Sequence, residues 1–102
     1  MPTRTVQVVA TLKDGDGNPL SGKSVNLYYR ESGATEWTDI GTNPHTTDAN
    51  GQATDTIDLT APGTYDFRAE FPGDDQYEAS SAELTNQTIK AGTQITLEIT
   101  PL

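Results

Sequence analysis

The chain has 102 residues, 32% of them hydrophobic, with 15 acidic residues against 6 basic ones and a formal net charge of −9. That length forms one domain with a single core and a radius of gyration of roughly 13 Å, and the acidic excess opposes binding to nucleic acid or to an anionic membrane surface. Without cysteine there is no disulfide framework and no thiolate metal site, and no apolar run approaches the roughly 20 residues needed to cross a bilayer.

The apolar residues are placed with period two, which predicts strands rather than disorder. The first strand runs from Thr5 to Lys13, with Val6, Val8, Ala10 and Leu12 on one face and Val9 interrupting the polar side. After a turn spanning Asp14 to Gly22, a second strand from Ser24 to Arg30 points Val25, Leu27 and Tyr29 inward and Asn26, Tyr28 and Arg30 outward. A loop through Gly33 leads to a third strand, Glu36 to Gly41, carrying Trp37 and Ile40. Asp48-Ala49-Asn50-Gly51 then turns the chain into a fourth strand, Gln52 to Leu59, where Asp55 is a polar misfit on the inward side. The alternation is clearest in the fifth strand, Thr64 to Phe71: Tyr65, Phe67, Ala69 and Phe71 face in, and Asp66, Arg68 and Glu70 face out. A sixth strand near Ser81 to Ile89 and a seventh from Gln94 to Thr100 complete the set, joined by Ala91-Gly92. Gly and Asn accept positive φ and Pro fixes it, so the clusters between these runs reverse the chain. Seven short strands with even turn spacing and no amphipathic helix predict an all-β, Ig-like antiparallel sandwich held together without a disulfide.

Few residues carry chemistry. Asp14, Asp16 and Asn18 begin an oxygen-ligand pattern for calcium, but the twelfth position of that loop, where an EF-hand needs Glu, is Val25. The same residues are those that hairpin turns prefer. A composite calcium site with Asp74 and Asp75 requires the two loops to meet at one pole. His45 is the only histidine, and no Ser nucleophile has a partner positioned by sequence; a zinc site or a hydrolytic triad would need more. Tyr28 faces away from the core, and Trp37 follows on the next strand. A flat aromatic pair of this kind stacks on a sugar ring or shields the sheet as a cross-strand pair; alternatively, Trp37 completes the core beside Tyr29 and Ile40. Asn86-Gln87-Thr88 is an N-x-[ST] sequon.

Three motifs together resemble a known family. Asp16-Gly17-Asn18-Pro19-Leu20-Ser21-Gly22-Lys23-Ser24-Val25 is similar to a "G-x-P-L-x-G-x-x-V" step, and Thr47-Asp48-Ala49-Asn50-Gly51-Gln52-Ala53 to a "T-D-x-N-G-x-A" turn. Gly63-Thr64-Tyr65 and the stretch Phe71 to Ser81 resemble a "G-T-Y … Y-x-G-D-x-x-Y-x-x-S" ending. In this order they resemble the bacterial and archaeal Ig-like repeats of cell-surface and adhesin-type proteins. The resemblance implies a single domain over residues 1–102, excised from a longer extracellular or cell-surface protein, monomeric, and serving as a non-catalytic spacer. Its implied partners are neighbouring domains of the same chain and a cell-wall or host glycan or protein, with calcium as the one conceivable cofactor. Related collagen-adhesin B-type domains form a Lys–Asn isopeptide bond beside a carboxylate. The corresponding candidates here are Lys13, Glu70 and Asn86, and strand parity turns Lys13 and Glu70 toward water.

Overall fold

The computed structural model describes residues 4–59, 63–89 and 93–99. The turn expected at Ala91-Gly92 lies outside them. Among the described residues eight strands form, in the order β1 (Arg4–Leu12), β2 (Ser24–Glu31), β3 (Thr38–Asp39), β4 (His45–Thr46), β5 (Gln52–Leu59), β6 (Gly63–Phe71), β7 (Ser80–Ile89) and β8 (Thr93–Ile99). They build two facing sheets. One is three-stranded in the order β5-β1-β8; the other is five-stranded in the order β3-β2-β6-β7, with β4 also pairing β2.

The core lies between the sheets and follows the period-two pattern. Val6, Val8, Ala10 and Leu12 of β1, Val25 and Leu27 of β2, and Phe67 and Ala69 of β6 are fully enclosed. Ile40, Ala53, Leu59, Tyr65, Phe71, Leu97 and Ile99 belong to it as well, and Tyr29, Ile57 and Leu84 pack against its margin. Leu20 joins this core from a loop rather than from a strand, and alternation gives no hint of that. Val9 and Thr11, on the other side of β1, are covered as well.

Not every pairing is antiparallel. β8 runs parallel to β1, from Val6 opposite Thr93 to Leu12 opposite Ile99. Strand polarity makes this necessary: β7 ends at the pole where β1 begins, so a strand starting there must run with β1. The chain therefore enters its first strand at one pole and leaves its last at the other, along a molecule whose extents are 45 × 26 × 22 Å.

The third expected strand is shorter than its pattern. Only Thr38 and Asp39 pair with β2, opposite Tyr29 and Tyr28. The chain then swings away through Gly41 (φ 63°) and the cis Asn43–Pro44 peptide, and returns as β4, opposite Val25 and Ser24. Across the gap the Asn43 carboxamide takes the place of a strand. Its Oδ1 accepts the Leu27 N–H at 2.9 Å, and its Nδ2 donates to the Leu27 carbonyl at 3.0 Å. A buried edge needs its backbone groups satisfied, and here a side chain does so, with the Ile40 N–H as a second donor to the Leu27 carbonyl at 2.9 Å.

At the pole where β1 ends and β2 begins, the two turn motifs are tied together by Thr47, which is 3% exposed. Its hydroxyl donates to the Leu20 carbonyl and accepts the Lys23 N–H, and its backbone bonds to Gly22 and Lys23. Gly51 closes the same knot: its carbonyl accepts the Leu12 N–H at 2.7 Å. The motif residues thus seat Leu20 in the core; the sequence shows them only as turns.

Candidate functional site

The acidic loops at this pole are occupied by their own bonds. Asp14 Oδ1 accepts the N–H groups of Asp16 and Asn18, both at 2.9 Å, and these bonds, chiefly that of Asn18, hold its carboxyl below the usual aspartate range. Asp74 Oδ1 accepts from the Gln76 and Tyr77 N–H groups, while Oδ2 forms a 2.6 Å ion pair with Lys23. That pairing, with the backbone bonds, lowers the Asp74 carboxyl too. Asp16 and Asp75 are exposed. Among the described residues no three His, Cys, Asp or Glu side chains come together to hold a metal ion. The two loops share a pole, and each uses its first aspartate to shape a turn.

The expected aromatic pair lies on the outer face of the five-stranded sheet. Trp37 does not sit on β3 beside Tyr28; it precedes that strand, half-buried, with its ring stacked on the Arg30 guanidinium at 4.1 Å. Tyr28 lies between Asp39 of β3 and Arg68 of β6. Partial burial, followed by the charges of Glu70 and Asp39, raises its hydroxyl above the ordinary value. One face of the indole is therefore committed to a cation–π contact.

Beneath that stack is a polar knot that alternation does not reveal. Asp66 points outward on β6 yet is only 4% exposed. It accepts from Arg30 Nε, directly across the strand pair, from Ser32 Oγ and from the Asn86 N–H, each at 2.9 Å. The last bond exists because β7 bulges where the register shifts between Tyr65 and Phe67, with Asn86 at φ 55°. The Asn86 N–H is the largest influence holding the Asp66 carboxyl below its usual range, opposed by burial and helped by Arg30 and Ser32. Further along, Arg68 bridges Glu70 and Glu83 at 3.1 and 2.8 Å on the open face.

Lys13, Glu70 and Asn86 are not assembled for a cross-link. Lys13 bridges Pro19 at the end of β1, in the three-stranded sheet. Asn86 faces Asp66, and Glu70 is four positions along β6, about 13 Å away, where it pairs with Arg68. Asn86 itself is exposed within the bulge. At the pole where β1 begins, a surface cleft of about 370 Å³ is lined by Tyr29, Glu31, Glu36, Asp58, Leu59 and Tyr65, among others. It holds carboxylates and tyrosines, but no side chain of the Ser, Cys or His type paired for nucleophilic attack.

The model of the bacterial Ig-like domain (group 1) matches residues 3–88. The chain belongs to this family. Among proteins of curated function none matches it significantly. Solved structures share the domain's architecture at low identity. A chlorocatechol 1,2-dioxygenase from Pseudomonas putida superposes with a TM-score of 0.60 at 12% identity, over 97% of this chain and 60% of the other. A DUF4876 family protein from Bacteroides thetaiotaomicron gives 0.51 at 14% identity, over 95% and 23%. A DUF3823 family protein from Parabacteroides merdae gives 0.50 at 19% identity, over 98% and 48%. The Ig-like domain thus spans between 23% and 60% of those longer chains. At such identities the likeness is one of fold, and the dioxygenase's chemistry is its own.

Proposed function

We propose that this bacterial Ig-like domain is a non-catalytic, force-bearing spacer of an extracellular or cell-surface protein, setting the distance and orientation of neighbouring modules. One observation carries this reading. β1 and β8 are parallel neighbours, and the chain enters and leaves them at opposite poles. Tension along the chain draws β1 toward one pole and β8 toward the other, so their interstrand bonds resist in shear, together, instead of opening one at a time. The self-bonded Asp14 and Asp74 and the Arg30-stacked Trp37 support the same reading, since these groups are engaged within the domain. An adhesive role for the parent protein is an extension of this proposal and rests on the family alone.

An amide chemical-shift titration tests it. The spectrum is expected to stay unchanged through calcium and a panel of cell-wall and plant polysaccharides. Saturable shifts at Asp14–Asn18 and Asp74–Asp75 with calcium, or around Tyr28 and Trp37 with a glycan, would replace the passive spacer with a binding module.

A further inference from the structure

His45 on β4 is the residue that the functional reading leaves unused, and its surroundings are unusual. The side chain is 11% exposed and reaches from the five-stranded sheet to Asp55 on β5 of the other sheet, with Nε2 and Oδ2 2.8 Å apart. On its other side Nδ1 lies 2.9 Å from Asn43 Oδ1. The Asn43 carboxamide cannot turn over, because the oxygen accepts the Leu27 N–H and the nitrogen donates to the Leu27 carbonyl. Turned over, it would set donor against donor and acceptor against acceptor. Both ring nitrogens therefore face acceptors. A neutral imidazole has one N–H and satisfies one of them; the imidazolium has two and satisfies both.

The site is shaped for this pair. Gly41, at φ 63°, lies where a Cβ would collide with Asp55 Oδ2. Asp55 is the charged group that faces the ring from β5; the other acid of that strand, Asp58, bonds Thr5 and lines the cleft near the far pole. From β2 the residue in register is Val25, flanked by Ser24 and Asn26, none of them titratable. The segment leading into β4 supplies Asn43.

We infer that His45 is a proton-dependent clamp, joining the two sheets when its ring carries both protons and releasing the 41–46 segment when one is lost. Loss of the Nδ1 proton leaves two acceptors facing each other at Asn43, against a ring that is 11% exposed, and loss of the Nε2 proton does so at Asp55, whose side chain is 34% exposed. The strand-mimicking Asn43 then loses its support, and the freed stretch is the one that seals this side of the sandwich between β2 and β5.

The test uses the unaltered chain. Long-range ¹⁵N–¹H spectra follow the two ring nitrogens with pH while amide exchange follows Leu27, Ile40, Thr46 and Thr47. Both nitrogens are expected to show protonated shifts wherever the segment is protected. As the ring loses a proton, exchange at these amides should rise about tenfold or more over that expected from pH alone, while the β1·β8 and β6·β7 amides keep their protection. His45→Gln, which cannot change its charge, should abolish the pH-dependent step. A ring that titrates with no change in local protection overturns the inference, as does protection with only one ring nitrogen protonated.

Discussion

Asp66 shows how much a single outward-facing side chain can hold. Its carboxylate is the shared acceptor for Arg30, Ser32 and Asn86, and truncating it leaves a guanidinium under Trp37 with no counter-ion. Asp66→Ala is expected to cost about 2 kcal/mol in urea-denaturation measurements, since it removes the shared acceptor of three bonds while the Arg30 side chain left behind is one-quarter exposed. Arg68→Ala, which breaks two pairs on the open face, should stay within about 1 kcal/mol. Proton linkage gives a second expectation. Asp14, Asp55, Asp66 and Asp74 are all held below the ordinary value of 3.8. The unfolded chain therefore binds more protons as the pH falls toward and below that value. The contribution of Asp14, Asp66 and Asp74 is fully present at neutral pH and is lost as the pH falls through their folded values, whereas that of Asp55 depends also on its bond to His45. Stability measured between pH 6 and pH 2 should decline most steeply below about pH 4, and the decline should be shallower in Asp66→Ala.

At the scale of elements, the strands follow from alternation and the turns from their residue types. β5 forms over Gln52–Leu59, as the pattern requires, and β1, β2 and β6 lie within a residue of their expected bounds. What the sequence does not display is how side chains stand in for backbone. Asn43 as a substitute strand and Thr47 as a tie between two turns both rest on long-range hydrogen bonds, 16 to 27 residues apart in the chain. Period and propensity are local signals and cannot register them. Asp55 is visible as a misfit on an inward face, but its reason, His45, becomes evident only once β4 is placed. The Asp66 knot gives no signal in advance, because an Asp on the polar side of a strand is unremarkable until the opposing strand bulges.

The turn glycines are separable by the space around them. A Cβ at Gly51 would sit 2.6 Å from the Leu12 carbonyl and 3.0 Å from the Leu20 nitrogen, at φ 74°. Gly51→Ala therefore meets both the left-handed penalty and rigid backbone, and should lower the melting temperature by roughly 10 °C or more. At Gly15 nothing lies within 4 Å and no positive φ is imposed, so Gly15→Ala should fall within about ±0.5 kcal/mol in the same calorimetric comparison. Equal effects at the two positions would mean that the knot around Leu12, Leu20 and Thr47 does not organise this pole.

For the whole molecule, the low hydrophobic content is sufficient because it is concentrated in one layer. The polar remainder is spent on its own turns and ion pairs. The resulting body has a Cα radius of gyration of 13.7 Å, close to that expected for its length, yet it is elongated to 45 Å. Elongation, opposite poles for the first and last strands, and parallel pairing of those two strands are what a load-bearing spacer requires. Pairing β5 antiparallel to β1 provides an internal contrast. Arg4 lies opposite Leu59 at the same pole, so tension applied between the start of β1 and position 58 opens that pair bond by bond.

Single-molecule pulling makes this contrast measurable. The domain is stretched once through the start of β1 and the end of β8, and once through the start of β1 and a cysteine introduced as Asp58→Cys. Forced unfolding is governed by the barrier along the pulled direction. The first geometry should therefore require clearly the higher force, with one cooperative rupture as β8 shears from β1. Equal forces in the two directions, or rupture along the β1–β8 axis at the lower force, would contradict the load-bearing account.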